Sequence, residues 1–190
     1  MAQRPQLQTL DDLLAQAERY AGWAMRQIGN VPPTMMGLSP RGPLFFVPSG
    51  LSDDRAKDNF ADISRLICVA HDATAAMMIL ESWMKLAAPG ETLDTIERPS
   101  EAIDRREIVL LTGETRTGFK QKILPIIRTD VGGFFGFGEY GGLAADSFEG
   151  RFAGILPPKR PTKEMQTKAR MVLAAIGITD AALRIDPTKN

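Results

Sequence analysis

Apolar residues recur at three- and four-residue steps through Leu10, Leu13, Leu14, Ala17, Tyr20, Ala24 and Ile28, which predicts an amphipathic helix over 9–28. Thr9 suits its N-cap, Asp11 and Asp12 suit the positive end of its dipole, and Gly29 suits the left-handed position beyond its end. Pro32, Pro33, Pro40, Pro43 and Pro48 then exclude helix, so the short apolar pieces Met35–Leu38 and Leu44–Val47 are expected as strands joined across Ser39-Pro40-Arg41-Gly42. A second helix opens at Ser52 and ends near His71, with Phe60, Ile63, Ile67 and Ala70 inward.

The run from Ala73 to Ala88 fits either element, since Ala, Met and Leu favour helix while an unbroken apolar run also suits a buried strand. One helix over 53–88 would far exceed the usual length, so a strand at 75–83 is preferred. After a polar loop over 89–105, strands are expected at 106–112 and 119–129. Gly113-Glu114-Thr115-Arg116-Thr117-Gly118 reads as the hairpin turn between them, and Pro125 as the sign of a bulge or edge. Thr162 opens a last helix over 162–177, with Met165, Ala169, Val172, Leu173 and Ile176 inward and Gly177 past its end. This order predicts an α+β fold, a mostly antiparallel sheet with two to three helices packed on one face.

The length of 190 residues suits a single domain over 1–190, and 44% hydrophobic residues at zero formal net charge suit a globular one. Lys and Arg balance Asp and Glu unevenly, with 4 against 3 over 1–49, 5 against 11 over 50–104 and 14 against 9 over 105–190. Cys68 is the only cysteine, which excludes an intramolecular disulfide and a thiolate-rich zinc site. The polar N-terminal residues show no secretory signal, and no apolar run approaches the ~18 residues of a membrane helix, so a cytoplasmic protein without a membrane partner is expected.

Candidate chemistry is sparse. Cys68 and His71 lie three apart at a helix end, and a thiolate nucleophile would need a base and an orienting group such as Asp72 or Glu81. Asp104, Glu114 and Arg116 imitate the carboxylate spacing of magnesium-dependent nucleases, with Glu114 falling in the expected turn. Glu81, at the end of an apolar run, must find a partner, for which Arg105 or Arg106 is expected. Gly136-Phe137-Gly138-Glu139-Tyr140-Gly141 matches a dinucleotide fingerprint in letters only, since no strand-to-helix unit surrounds it, so no cofactor or metal is expected.

Eight of the 17 glycines fall within 132–154, interleaved with Phe134, Phe135, Phe137, Tyr140, Phe148 and Phe152. This irregular Gly/Phe-rich segment, spanning 130–158, either packs its rings into the core or offers them to a neighbour. Lys120 and Lys122 share one face of a strand, and with the bases of the last helix they would make a phosphate-tracking surface if hairpin and helix lie side by side.

The stretch Glu81-Ser82-Trp83-Met84, followed by Arg98-Pro99-Ser100-Glu101-Ala102-Ile103-Asp104-Arg105-Arg106-Glu107, resembles a family of uncharacterised bacterial, phage and plasmid proteins with a Glu-x-Trp strand end and a Pro-Ser-Glu-x-x-x-Arg-x-Glu loop. The resemblance implies a mobile-element origin and a charged cluster of Glu81, Trp83, Glu101, Asp104, Arg105 and Glu107 where two strands meet, with no assigned activity. The leading expectation is a non-catalytic interaction or accessory protein, self-associating or bound to a protein partner, that uses Phe134, Phe135, Phe137 and Tyr140 or the basic residues. The alternatives are a metal-assisted hydrolase or nuclease using Glu81, Asp104 and Glu107, and a nucleic-acid-binding protein.

Overall fold

A computed structural model describes residues 8–85, 101–139, 150–186 and 188. Helix α1 (Leu10–Gln27) starts on a capping box: the Thr9 hydroxyl accepts the Asp12 N–H at 3.1 Å, and the Asp12 carboxylate accepts the Thr9 and Gln8 N–H groups, both at 3.0 Å. Those backbone donors hold the Asp12 carboxyl below its ordinary range. Strands β1 (Thr34–Ser39) and β2 (Gly42–Phe46) form the expected hairpin. Helix α2 (Asp54–Ala70) is capped by Asp53, one residue beyond the expected Ser52, whose carboxylate accepts the Ala56 N–H at 2.7 Å.

Strand β3 (Ala75–Met84) confirms the strand reading of the ambiguous run, and its burial explains the ambiguity. β3 lies inside the sheet, with Met77 and Ile79 facing one layer and Ala76, Met78 and Leu80 the other, so no polar position alternates. It pairs with β4 (Arg106–Thr115) over ten residue pairs. β4 in turn pairs with β5 (Phe119–Arg128), and β5 with the four-residue β6 (Phe134–Phe137), a strand within the segment expected to be irregular. The whole sheet is antiparallel, in the order β2-β1-β3-β4-β5-β6.

The α+β class and the antiparallel sheet stand as expected. Helices α2 and α3 (Lys163–Ala175) share one face, with Phe60, Ile67, Ala169 and Leu173 packed against Met35, Ala76 and Met78. Helix α1 takes the other face, setting Leu13, Ala17 and Tyr20 against Met77, Val109 and Leu111. Its approach accounts for Gly113, which is not a turn residue: it lies in β4, and a Cβ there would collide with Met77 and Leu10. The β4–β5 turn shrinks accordingly to Arg116-Thr117-Gly118, closed by the Thr115 N–H donating to the Gly118 carbonyl at 2.8 Å.

Helix α3 corrects the expected inward face. Gln166, Ala169 and Leu173 are buried, whereas Met165, Val172 and Ile176 lie about half exposed, because α3 rests chiefly on α2 and needs only a narrow seam. Past α3, a 3-10 turn (Ala182–Arg184) lies against β2, and the Arg184 guanidinium donates to the carbonyls of Gly42 at 2.8 Å and Pro43 at 2.9 Å. Among the described residues no helix is long and apolar enough to cross a membrane.

Candidate functional site

Cys68 and His71 both lie at the end of α2, but they do not form a catalytic pair. Cys68 is wholly buried, and burial first, then the Glu114 carboxylate, push its thiol up to about 12 against the opposing pull of Arg116. A thiol held there stays protonated at neutral pH and is a poor nucleophile. The His71 side chain is 2% exposed and sets Nε2 3.4 Å from Asp180 Oδ1, in the segment after α3. Burial keeps the imidazole below its ordinary pKa, a trend that the Asp180 carboxylate opposes and Arg184, Arg170 and Arg41 reinforce. Asp72 stands in the left-handed region at φ 51° and does not orient His71: its Oδ2 accepts Arg160 Nε at 2.8 Å and lies 2.6 Å from Arg160 Nη2.

The three candidate carboxylates are engaged separately. Pairing of Glu81 with Val109 places Glu81 diagonally across the β3–β4 ladder from Glu107, on the face that α1 covers. Glu81 nevertheless accepts the Val31 N–H at 2.8 Å, in place of the expected Arg105 or Arg106, while Glu107 holds Arg128 Nε at 2.5 Å. Asp104 lies 3.9 Å from Lys85 Nζ. The proposed charged cluster thus divides into these contacts and an Arg105 guanidinium 4.3 Å above the Trp83 ring, and Glu101 is exposed. Among the described residues no three His, Cys, Asp or Glu side chains form a group able to hold a metal ion.

Glu114, which falls in a strand rather than a turn, has a structural task that sequence reasoning missed. Eight strand steps, roughly 26 Å, carry it from Arg106 at the start of β4, while Asp104 lies in the turn before that strand, which undoes the nuclease-like spacing. Its carboxylate accepts the Gly154 N–H at 3.1 Å and the Leu156 N–H, fastening the strap 150–156 to the sheet. From α2, Arg65 donates to the carbonyls of Arg151, Ala153 and Gly154, and Arg151 pairs with Asp54 at 3.0 Å and Asp58 at 2.7 Å. The alternation Leu110-Thr112-Glu114 along one strand face is the signal that, carried past Thr112, would have placed it in β4. The cleft under the strap, about 180 Å³ including its mouth and lined by Ala76, Met78, Thr112, Glu114, Phe152 and Ile155, has no room for a water molecule.

The two lysines do not form the expected phosphate-tracking surface. Lys120 pairs with Asp11, and Lys122 Nζ lies 2.6 Å from Glu18 Oε1, so both tie β5 to α1. They face α1, while α3 lies in the layer on the opposite side of the sheet, so hairpin and last helix are not neighbours.

The Gly/Phe segment divides by ring. Phe134 and Phe137 pack edge to face, with centroids 5.0 Å apart, against the α1 side of the core. Phe135 remains 76% exposed where the β5–β6 register shifts at Ile127/Arg128. Its neighbours Val131, 93% exposed in the connecting turn, and Ile127, 43% exposed, were not singled out from the sequence. Tyr140 lies outside the described residues. Comparison with known proteins finds no matching family model, no matching curated protein and no matching solved structure.

Proposed function

We propose that this chain is a non-catalytic interaction protein of the cytoplasm, an accessory component of the phage or mobile-element kind, whose contact surface is the β5–β6 hairpin. One observation carries the reading: Phe135, Val131 and Ile127 stand in solvent on a hairpin whose other rings are anchored in the core. A large ring held outward on a fixed support loses little conformational freedom on binding, and aromatic residues supply much of the binding energy at protein interfaces. The arrangement of the titratable groups points the same way, since Cys68 is buried and Glu81, Asp104 and Glu107 each have separate partners.

The test replaces Phe135 by a photo-crosslinking phenylalanine analogue in the native host, with the same analogue at Lys57 on α2 as control. Adducts from position 135 and none from position 57 are expected. Adducts from position 57 alone, or none from either position, would overturn the reading.

A further inference from the structure

The two edges of the sheet are treated differently. On β2, Pro43 removes one N–H, the Arg184 guanidinium occupies the Gly42 and Pro43 carbonyls, and the Ala182–Arg184 turn lies alongside. These are the means by which proteins keep a sheet edge from pairing. On β6, Phe134-Phe135-Gly136-Phe137 contains neither proline nor charge, and among the described residues nothing hydrogen-bonds to its outer side. Gly138 donates inward to the Pro125 carbonyl at 2.8 Å. The alternation of an antiparallel ladder therefore turns the N–H and C=O of Phe137 outward.

Resting on the reading above that the hairpin is the contact surface, we propose that the partner is a second copy of this chain, paired antiparallel along β6 across a two-fold axis. Two sheets of six strands then join into one of twelve. Charge favours this occupant, because an uncharged strand meeting itself sets no like charges opposite one another. The neighbouring Arg128 is already neutralised by Glu107. Phe135 and Val131 of each copy add apolar contact beside the axis. An isologous edge closes on itself, and Pro43 with the Ala182–Arg184 turn opposes pairing along β2, so association is expected to stop at two. Four residues of strand and three exposed side chains bury less than the ~800 Å² per partner of a standard interface, which makes the dimer reversible, with a dissociation constant on the order of micromolar.

Sedimentation equilibrium of the full chain from about 1 to 300 µM, with hydrogen exchange measured at both ends of that range, tests the proposal. A monomer–dimer equilibrium without larger species is expected, together with a Phe137 amide that exchanges more slowly at high concentration. Phe135→Lys sets two like charges near the axis and weakens dimerisation about tenfold or more while leaving the melting temperature close to wild type. Should that variant fail to fold, Val131→Lys, in the turn outside the strand, serves the same purpose. A monomer at every concentration, assembly beyond two, or a dimer indifferent to the substitution and with an unprotected Phe137 amide would overturn self-pairing. A pure chain that stays monomeric while position 135 cross-links another protein in cells would overturn self-pairing alone and leave the hairpin as the contact surface.

Discussion

Glu114 in β4 accepts the N–H of Gly154 at 3.1 Å, joining the sheet to a strap forty residues further along the chain. The same carboxylate also takes the Leu156 N–H, and Ile155 between them is buried in the core under α2. This carboxylate ties the strap to the sheet, as Arg65 ties it to α2.

Replacing Glu114 by Gln sets an amide N–H₂ against a backbone N–H and leaves a partly buried donor unsatisfied. A loss of about 1–3 kcal/mol is expected, seen as a fall in Tm of roughly 2–10 °C for a chain of this size. Glu164→Gln, on the exposed side of α3, serves as control and should stay within about 0.5 kcal/mol. Equal effects of the two substitutions would show that the strap does not depend on this carboxylate.

His71 makes stability depend on pH in a defined direction. Its folded pKa lies below the ordinary 6.5, so the unfolded chain takes up a proton that the folded chain refuses. The contribution is complete above about pH 6.5 and is lost as the pH falls below that value. The groups acting on the ring are Asp180, Arg184 and Arg41 around the C-terminal segment and Arg170 from α3. Urea midpoints should fall between pH 7.5 and 5.5 in wild type and fall less in His71→Gln. Parallel profiles would assign the dependence to other groups.

Cys68 should resist thiol reagents until the chain opens. Its sulfur is fully buried and its thiol is pushed up to about 12, so at pH 8 a native sample labels negligibly while a urea-unfolded sample labels one thiol per chain. Rapid labelling of the native protein would contradict the packing of α2 against the sheet.

Much of the fold was legible from local chemistry. Thr9, Thr162, Gly29 and Gly177 mark helix ends as their side chains or backbone freedom require, and the switch from helix to strand between His71 and Ala75 followed from length. Gly113 was misread because a glycine that makes room for a helix looks the same in sequence as one that turns a chain. Only the approach of Leu10 and Met77 tells them apart. Glu114 was carried into the turn with it. On α3, Met165, Val172 and Ile176 lie beside the apolar seam rather than in it. The buried Gln166, whose Nε2 donates to the Pro161 carbonyl at 3.1 Å, reads as a surface residue until the segment before the helix is in place. Of the candidate site, Phe135 was visible as a residue type, but its separation from Phe134 and Phe137 depends on a register shift that no periodicity announces.

Arg184 reaches β2 across 142 positions of sequence, so the guard on that edge is made only after all six strands of the sheet. While the chain is being made, both sides of the sheet are open to pairing, and only Pro43 protects the first. If β6 pairs with its own copy as proposed, a chain cut before Asp180 would lack the Arg184 guard on β2, and pairing that stops at two copies with the guard in place would be free to propagate without it.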